Sequence, residues 1–291
     1  MTSPLQPPII VAARDLLSRY DVLFCDVWGV VHDGHRAYPG AMRALNAFRR
    51  GGGTVILVSN APVPAHRVAE MLADKHVDPA SWDDIVSSGG IALDHVAYKN
   101  YSAVYTIGPR DRDAAFFERL TAHPAPLERA EAIVCTGLND DVNETVADYA
   151  EVLAAGRGLG LPFVCANPDL VVDVGGRHYL CAGALADAYE HMGGEVYWAG
   201  KPHPSAYATA HTKAEAVRGA NVPKARILAI GDAIRTDLKA AAGAGIDALF
   251  VTSGIHRAET MTNGGVDADK LARALGPGSP PAIAATAFLD W

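Results

Sequence analysis

Apolar runs of four or five residues recur along this chain, and each breaks off into a polar or glycine-bearing step. Residues 22–25 (VLFC) end in Asp26, 54–58 (TVILV) in Ser59-Asn60, and 196–199 (VYWA) in Gly200-Lys201. Residues 227–230 (ILAI) end in Gly231-Asp232, and 248–251 (ALFV) in Thr252-Ser253-Gly254. Runs this short and this uniformly apolar suit strands buried on both faces of a sheet. Between them lie stretches with apolar residues at helical spacing: 9–20, 41–50, 64–76, 203–218 and 236–244. Pro39-Gly40 opens the second of these, Gly51-Gly52-Gly53 closes it, and Gly245 closes the last. Strand and helix in alternation predict an α/β fold built on a doubly wound parallel sheet.

The middle third alternates in the same way. Residues 85–86 lead into Ser87-Ser88-Gly89-Gly90 and a helix. Residues 103–107, 132–135, 163–166 and 171–174 read as strands. Residues 143–155 read as a helix capped by Asn143, and 181–192 as another. A Gly/Pro/Ser linker at 276–281 is expected to precede a last short helix.

The formal charge of −8 argues against a nucleic-acid or anionic-membrane partner. It leaves room for a local positive pocket that holds an anionic small molecule. No apolar run approaches the ~18 residues of a membrane span. The opening MTSPLQPPII has neither a basic nor a hydrophobic signal region, so a cytoplasmic location is expected. Cys25, Cys135, Cys165 and Cys181 form no C-x-x-C pair and read as reduced core thiols.

Open parallel sheets bind ligands at the carboxyl ends of their strands. Asp26, Ser59-Asn60, Lys201 and Asp232 would therefore meet at one edge. Each has a plainer reading. Asp26 could cap a strand before a turn, and Ser59-Asn60 could be only a turn. Lys201 could be a solvated lysine before Pro202, and Asp232 and Asp237 could cap a helix. Their coincidence at successive strand ends is what points to chemistry, and the chemistry they suit is phosphoryl transfer. A carboxylate can attack phosphorus and form an aspartyl-phosphate. Mg²⁺ prefers carboxylate and phosphate oxygens. A hydroxyl, backbone N–H groups and a lysine can neutralise the transferring group.

In order and spacing, CDVWGVVHDG, LVSNAP, GKPHP and GDAIRTDLKAAAGAG resemble the four motifs of the haloacid dehalogenase (HAD) superfamily. SSGGIAL, CANPD and GALADA between the second and third motifs resemble the large inserted cap of its class IIA branch, the NagD and p-nitrophenyl phosphatase group. The resemblance runs from about Tyr20 to Gly254. It implies a Rossmann-like HAD core from residues 1–85 and 197–291, and an inserted α/β cap domain from 86–196. It implies Asp26 as nucleophile and Mg²⁺ ligand, with the Trp28 carbonyl a second ligand. It implies that Ser59 and Asn60 hold the phosphoryl group and that Lys201 orients Asp26. Asp232 would bind Mg²⁺ directly, and Asp237 would support the metal shell through water. Asn167 and Asp169 are expected on the cap, facing the substrate.

One position departs from the pattern. The family carries a general-acid Asp two residues after the nucleophile, and here that residue is Trp28. General acid–base catalysis is typically worth ~10²–10⁴-fold. His32, Asp33 and His35 are the nearest substitutes, and the turn after Gly29 is expected to carry them away. The expectation is a Mg²⁺-dependent phosphatase of small organic phosphates (sugar phosphate, nucleotide or similar). The alternative is a weak or inactive phosphate-ester-binding, regulatory homologue. The expected partner is a small phosphorylated metabolite, with no nucleic acid and no membrane, and a homodimer is left open.

Overall fold

A computed structural model describes residues 6–174 and 177–291. The first five residues of the opening stretch and Gly175-Gly176 lie outside the described residues. In chain order the strands are β1 (Val22–Cys25), β2 (Thr54–Ser59), β3 (Asp84–Ser87), β4 (Ala103–Ile107), β5 (His123–Pro124), β6 (Ala132–Cys135), β7 (Phe163–Cys165), β8 (Val171–Val174), β9 (Arg177–Leu180), β10 (Val196–Trp198), β11 (Ile227–Gly231), β12 (Asp247–Val251), β13 (Met261–Thr262), β14 (Gly265–Val266) and β15 (Ala284–Thr286). The chain divides into two compact units. The first comprises residues up to Ser59, Ala69–Val86 and Tyr207–Trp291, and the second Asn60–Val68 with Ser87–Ala206.

The first unit is built on a six-stranded sheet of order β15-β12-β11-β1-β2-β3. Strands run outward from β1 to one side as β2 and β3, and to the other as β11, β12 and β15. This is the Rossmann-like order, and its switch point lies between β1 and β11. The β1–β2, β1–β11, β11–β12 and β12–β15 pairings are all parallel. Every residue of β1, β2 and β11 is buried, as expected for strands covered on both faces. Cys25 pairs with Leu57 on one side and Ile230 on the other. That register brings the residues following β1 and β11 to one level.

The second unit has a five-stranded sheet of order β10-β7-β6-β4-β5, with parallel pairings, and a β8–β9 hairpin. Its core gathers Ile133, Phe163, Leu153, Leu185 and Tyr189. All four cysteines are free and buried, and burial pushes the Cys135 thiol up to about 12. Among the described residues no helix is long and apolar enough to cross a membrane.

Several local expectations fail, each for a non-local reason. The helix expected over residues 9–20 is confined to Arg14–Leu17. Ile10 N–H donates to the Ala285 carbonyl at 2.8 Å, and Ala285 N–H donates to the Pro8 carbonyl at 2.9 Å. Sheet-edge hydrogen bonds therefore hold that segment extended. The last short helix is instead the strand β15, paired with β12. Asn143 caps no helix, because its side chain donates to Asp140. Thr145 and Asp148 form a capping box on the turn Val146–Tyr149, and the helix proper is Ala150–Gly158. The helix expected from residue 236 begins as a π-helical turn, Ile234–Leu238, and becomes α-helical at Lys239–Ala244.

Candidate active site

Asp26 directly follows β1, and its N–H donates to the Ile230 carbonyl at 2.8 Å. Asp232 directly follows β11, and Asp237 lies in the π-helical turn after it. The three carboxylates each offer an oxygen, and these oxygens all lie within 4.8 Å of one another. They sit at the switch point of the first unit's sheet, and Asp26, Asp232 and Asp237 are only 9%, 5% and 1% exposed. Three like charges this close repel by on the order of 3 kcal/mol per pair at an effective dielectric of about 20. A hard divalent cation relieves that repulsion, and an all-oxygen donor set is what Mg²⁺ or Ca²⁺ takes.

Glycines make the room for this cluster. A Cβ on Gly29 would lie 2.1 Å from Asp232 Oδ2, and one on Gly254 would lie 1.7 Å from the same oxygen. A Cβ on Gly231 would lie 2.1 Å from Asp237 Cγ. Two backbone donors fix the carboxylates. Ile255 N–H donates to Asp232 Oδ2 at 2.7 Å, and Ala233 N–H to Asp237 Oδ2 at 3.0 Å. Sequence reasoning placed Asp232 and Asp237 but missed the role of these glycines, whose only signal is their position beside strand ends.

Trp28 occupies the loop after Asp26, half-buried. Its ring meets the His32 ring edge-on at 5.1 Å. A Cβ on Gly34 would lie 2.7 Å from the indole Cζ2, so the indole packs on its own loop. His32 is 3% exposed. Burial, with Lys75 nearby, lowers its pKa to about 4, against the opposing pull of Asp33. Its Nδ1 accepts from Gly34 N–H at 2.9 Å. A ring that is neutral near pH 7 has no imidazolium proton to give. Asp33 Oδ1 accepts from the His35 and Arg36 N–H groups. Its pKa is lowered by those bonds and by Arg36, against the larger opposing effect of burial. It too is held as the anion.

The second unit carries its own polar constellation. Asn60 Nδ2 donates to the Lys201 carbonyl at 3.0 Å and to Asp169 Oδ1 at 2.9 Å, and Asn60 Oδ1 accepts from Lys201 N–H at 2.9 Å. One amide thus joins residues 109 and 141 positions away. Gly200, at φ +107°, permits the approach, since a Cβ there would lie 2.7 Å from Asn60 Oδ1. Asn167 Oδ1 accepts from Asp169 N–H at 3.1 Å, and Ser88 Oγ donates to the Ala199 carbonyl. Lys201 is 2% exposed and Asn60 7%. Ser59 closes β2 in the first unit, 8% exposed, and is joined by its peptide bond to Asn60.

Residues 23–120 match the family model of the haloacid dehalogenase-like hydrolases, and residues 198–276 match a second model described as HAD-hydrolase-like. The chain is also similar to a crystal structure of a haloacid dehalogenase-like family hydrolase from Brucella suis 1330. The two are 40% identical over 96% of this chain and 99% of that one, with a TM-score of 0.84. This chain belongs to the haloacid dehalogenase-like hydrolase family. It is accordingly a HAD-type enzyme. Among its curated relatives is the ribonucleotide monophosphatase NagD of Escherichia coli strain K12, 26% identical over 80% of this chain and 88% of that protein. Another is an acid sugar phosphatase of Staphylococcus aureus strain MRSA252, 23% identical over 85% and 92% respectively. These relatives are of the NagD group that the sequence motifs resemble.

Proposed function

We propose that this HAD hydrolase is a cytoplasmic, Mg²⁺-dependent phosphatase of small organic phosphates (a sugar phosphate, a nucleotide or a similar metabolite). The observation that carries the reading is the convergence of Asp26, Asp232 and Asp237 within 4.8 Å, at the edge where open parallel sheets bind ligands. Its relatives' names supply the substrate class.

Asp26 is the proposed nucleophile. A carboxylate oxygen attacks phosphorus, the bond to the ester oxygen breaks, and the electron pair leaves with the alcohol. Water then attacks phosphorus, the acyl-phosphate bond breaks, and the carboxylate and inorganic phosphate are released. Mg²⁺, when bound, would neutralise the phosphoryl oxygens against the carboxylates. Asp26, Asp232 and the Trp28 carbonyl are proposed to hold it, with Asp237 supporting through water. The backbone ligand is indifferent to the Trp28 side chain, but the proton donor is lost with the aspartate. The leaving alkoxide then departs largely unassisted, which favours esters of acidic alcohols. Ser59 and Asn60 are proposed to hold the phosphoryl group, and Lys201 to orient Asp26 and offset charge. The two hydrogen bonds between Asn60 and the Lys201 backbone support treating these two residues as one preorganised unit. Asn167 and Asp169, on the inserted segment 86–196 as a cap, are proposed to set substrate choice. The proposed partner is a small phosphorylated metabolite, without nucleic acid or membrane, and the reading leaves a homodimer open.

A screen of phosphorylated metabolites with Mg²⁺, set against p-nitrophenyl phosphate, tests the proposal. Turnover of at least one metabolite well above that of the Asp26→Asn protein is expected. No such turnover on any substrate would overturn it. The Trp28 substitution favours one second reading, a phosphate-ester-binding regulatory homologue, which would show tight ester binding without turnover.

A further inference from the structure

The first unit has an open cavity of about 550 Å³ on the side of residues 234–239, lined by Ile234, Arg235 and Lys239 and by the loop of Gly278 and Ser279 with its flanking prolines. Arg235 lies in the π-helical turn and Lys239 opens the α-helix that follows it, and both side chains line this cavity. Like charges on one wall repel, and among the described residues neither has an ion-pair or hydrogen-bond partner. Both are exposed, in a chain whose formal charge is −8. The two carboxylates of the same segment do not cancel them. Asp232 and Asp237 are 5% and 1% exposed, and each accepts from a backbone N–H in its own cluster. The opposite wall is preset. Pro277 and Pro280 restrict the loop backbone, Gly278 turns it at φ +89°, and Ser279 N–H donates to the Gly276 carbonyl at 3.0 Å.

We infer that this cavity is a second anion site, separate from the carboxylate cluster, that takes a phosphate group. A forked guanidinium and an ammonium on one wall, with a serine on the other, offer donors from several directions. A tetrahedral phosphate presents oxygens to all of them, whereas a flat carboxylate presents two on one edge. The cavity is broad and open to solvent, so it does not limit what the phosphate is attached to. It admits either free inorganic phosphate or the phosphate end of a metabolite.

The test is an amide NMR titration of the full isotope-labelled chain with inorganic phosphate, at ionic strength held constant with chloride. The Gly278 and Ser279 amides report this cavity, and the Gly29 amide reports the carboxylate cluster. Saturable shifts at Gly278 and Ser279 are expected. In the R235Q/K239Q double variant the affinity read at those amides should fall at least about tenfold, the loss of two charged hydrogen-bond donors. Both side chains are exposed, and the variant's own spectrum shows whether it has kept its fold. A parallel titration with a non-hydrolysable hexose phosphonate separates the two sources. Binding at least tenfold tighter than phosphate identifies a metabolite, and equal or weaker binding identifies free phosphate. Loop amides that do not shift, that drift without saturating, or that bind phosphate equally well in the double variant would overturn the assignment.

Discussion

Substituting alanine for Gly254 tests whether backbone proximity positions Asp232. The added Cβ would lie 1.7 Å from Asp232 Oδ2 and 2.4 Å from its Cγ, far inside the ~3.5–4.0 Å of an unstrained contact. The backbone cannot yield easily, because the next residue's N–H is the 2.7 Å donor to the same oxygen. Asp232 must therefore swing away and lose that bond. Overpacking of this kind typically costs about 1–3 kcal/mol, and leaving a repulsive carboxylate cluster offsets part of it. Metal affinity has no such offset, since the displaced carboxylate is one of the proposed metal ligands. Disturbing the support of a metal ligand typically costs about 10–100-fold. Calorimetric Mg²⁺ titration and urea unfolding should thus diverge, with affinity down by about 10–100-fold and stability down by no more than about 3 kcal/mol. Gly243→Ala is the matched control. It lies in the helix Lys239–Ala244 with nothing within 4 Å of the added carbon, so it should leave affinity unchanged and raise stability by about 0.5–1 kcal/mol. Wild-type Mg²⁺ affinity in Gly254→Ala would refute the argument.

Asp26→Asn should abolish turnover with the fold intact by circular dichroism; near wild-type activity would rule Asp26 out as nucleophile. Asp232→Asn should weaken Mg²⁺ binding, and EDTA should silence the enzyme; full activity in chelator would exclude a metal mechanism. Trp28→Asp should raise turnover of alkyl phosphates, by up to ~10²–10⁴-fold, far more than that of p-nitrophenyl phosphate. Rates across esters of different leaving-group acidity would measure this, and a flat dependence in the wild type would mean that another group supplies the proton. The His95 ring stacks on Tyr197 at 3.4 Å, and burial, then Lys99, lowers its pKa, against Glu195. A histidine with a lowered folded pKa contributes stability that is complete above its unfolded value, near ~6.5, and is lost as pH falls below it. His95→Gln should therefore flatten the loss of urea midpoint between about pH 6.5 and the lowered folded value; an unchanged slope would count against this.

The strands that carry the site were legible because their signal is local. Four consecutive apolar residues, as in VLFC, VILV and ILAI, exclude a solvated face, and a polar residue at or just beyond the end of each run is where a parallel sheet opens to ligand. Asp26, Ser59 and Asp232 could be read off in this way. Helical spacing was less reliable where a sheet edge competed for the same backbone. Residues 8–10 and 284–286 pair with each other across nearly the whole chain, and no window of sequence contains both. The same distance hid the roles of the glycines and of Asn60. Gly254 matters because Asp232, 22 positions earlier, occupies the space a side chain would need. Asn60 matters because Lys201 and Asp169 converge on its amide. Residue types and their periodicity determined which segments were strands and which ends were polar. Only tertiary structure decided what faced those ends, because steric exclusion and hydrogen-bond satisfaction act between atoms close in space, however far apart they lie along the chain.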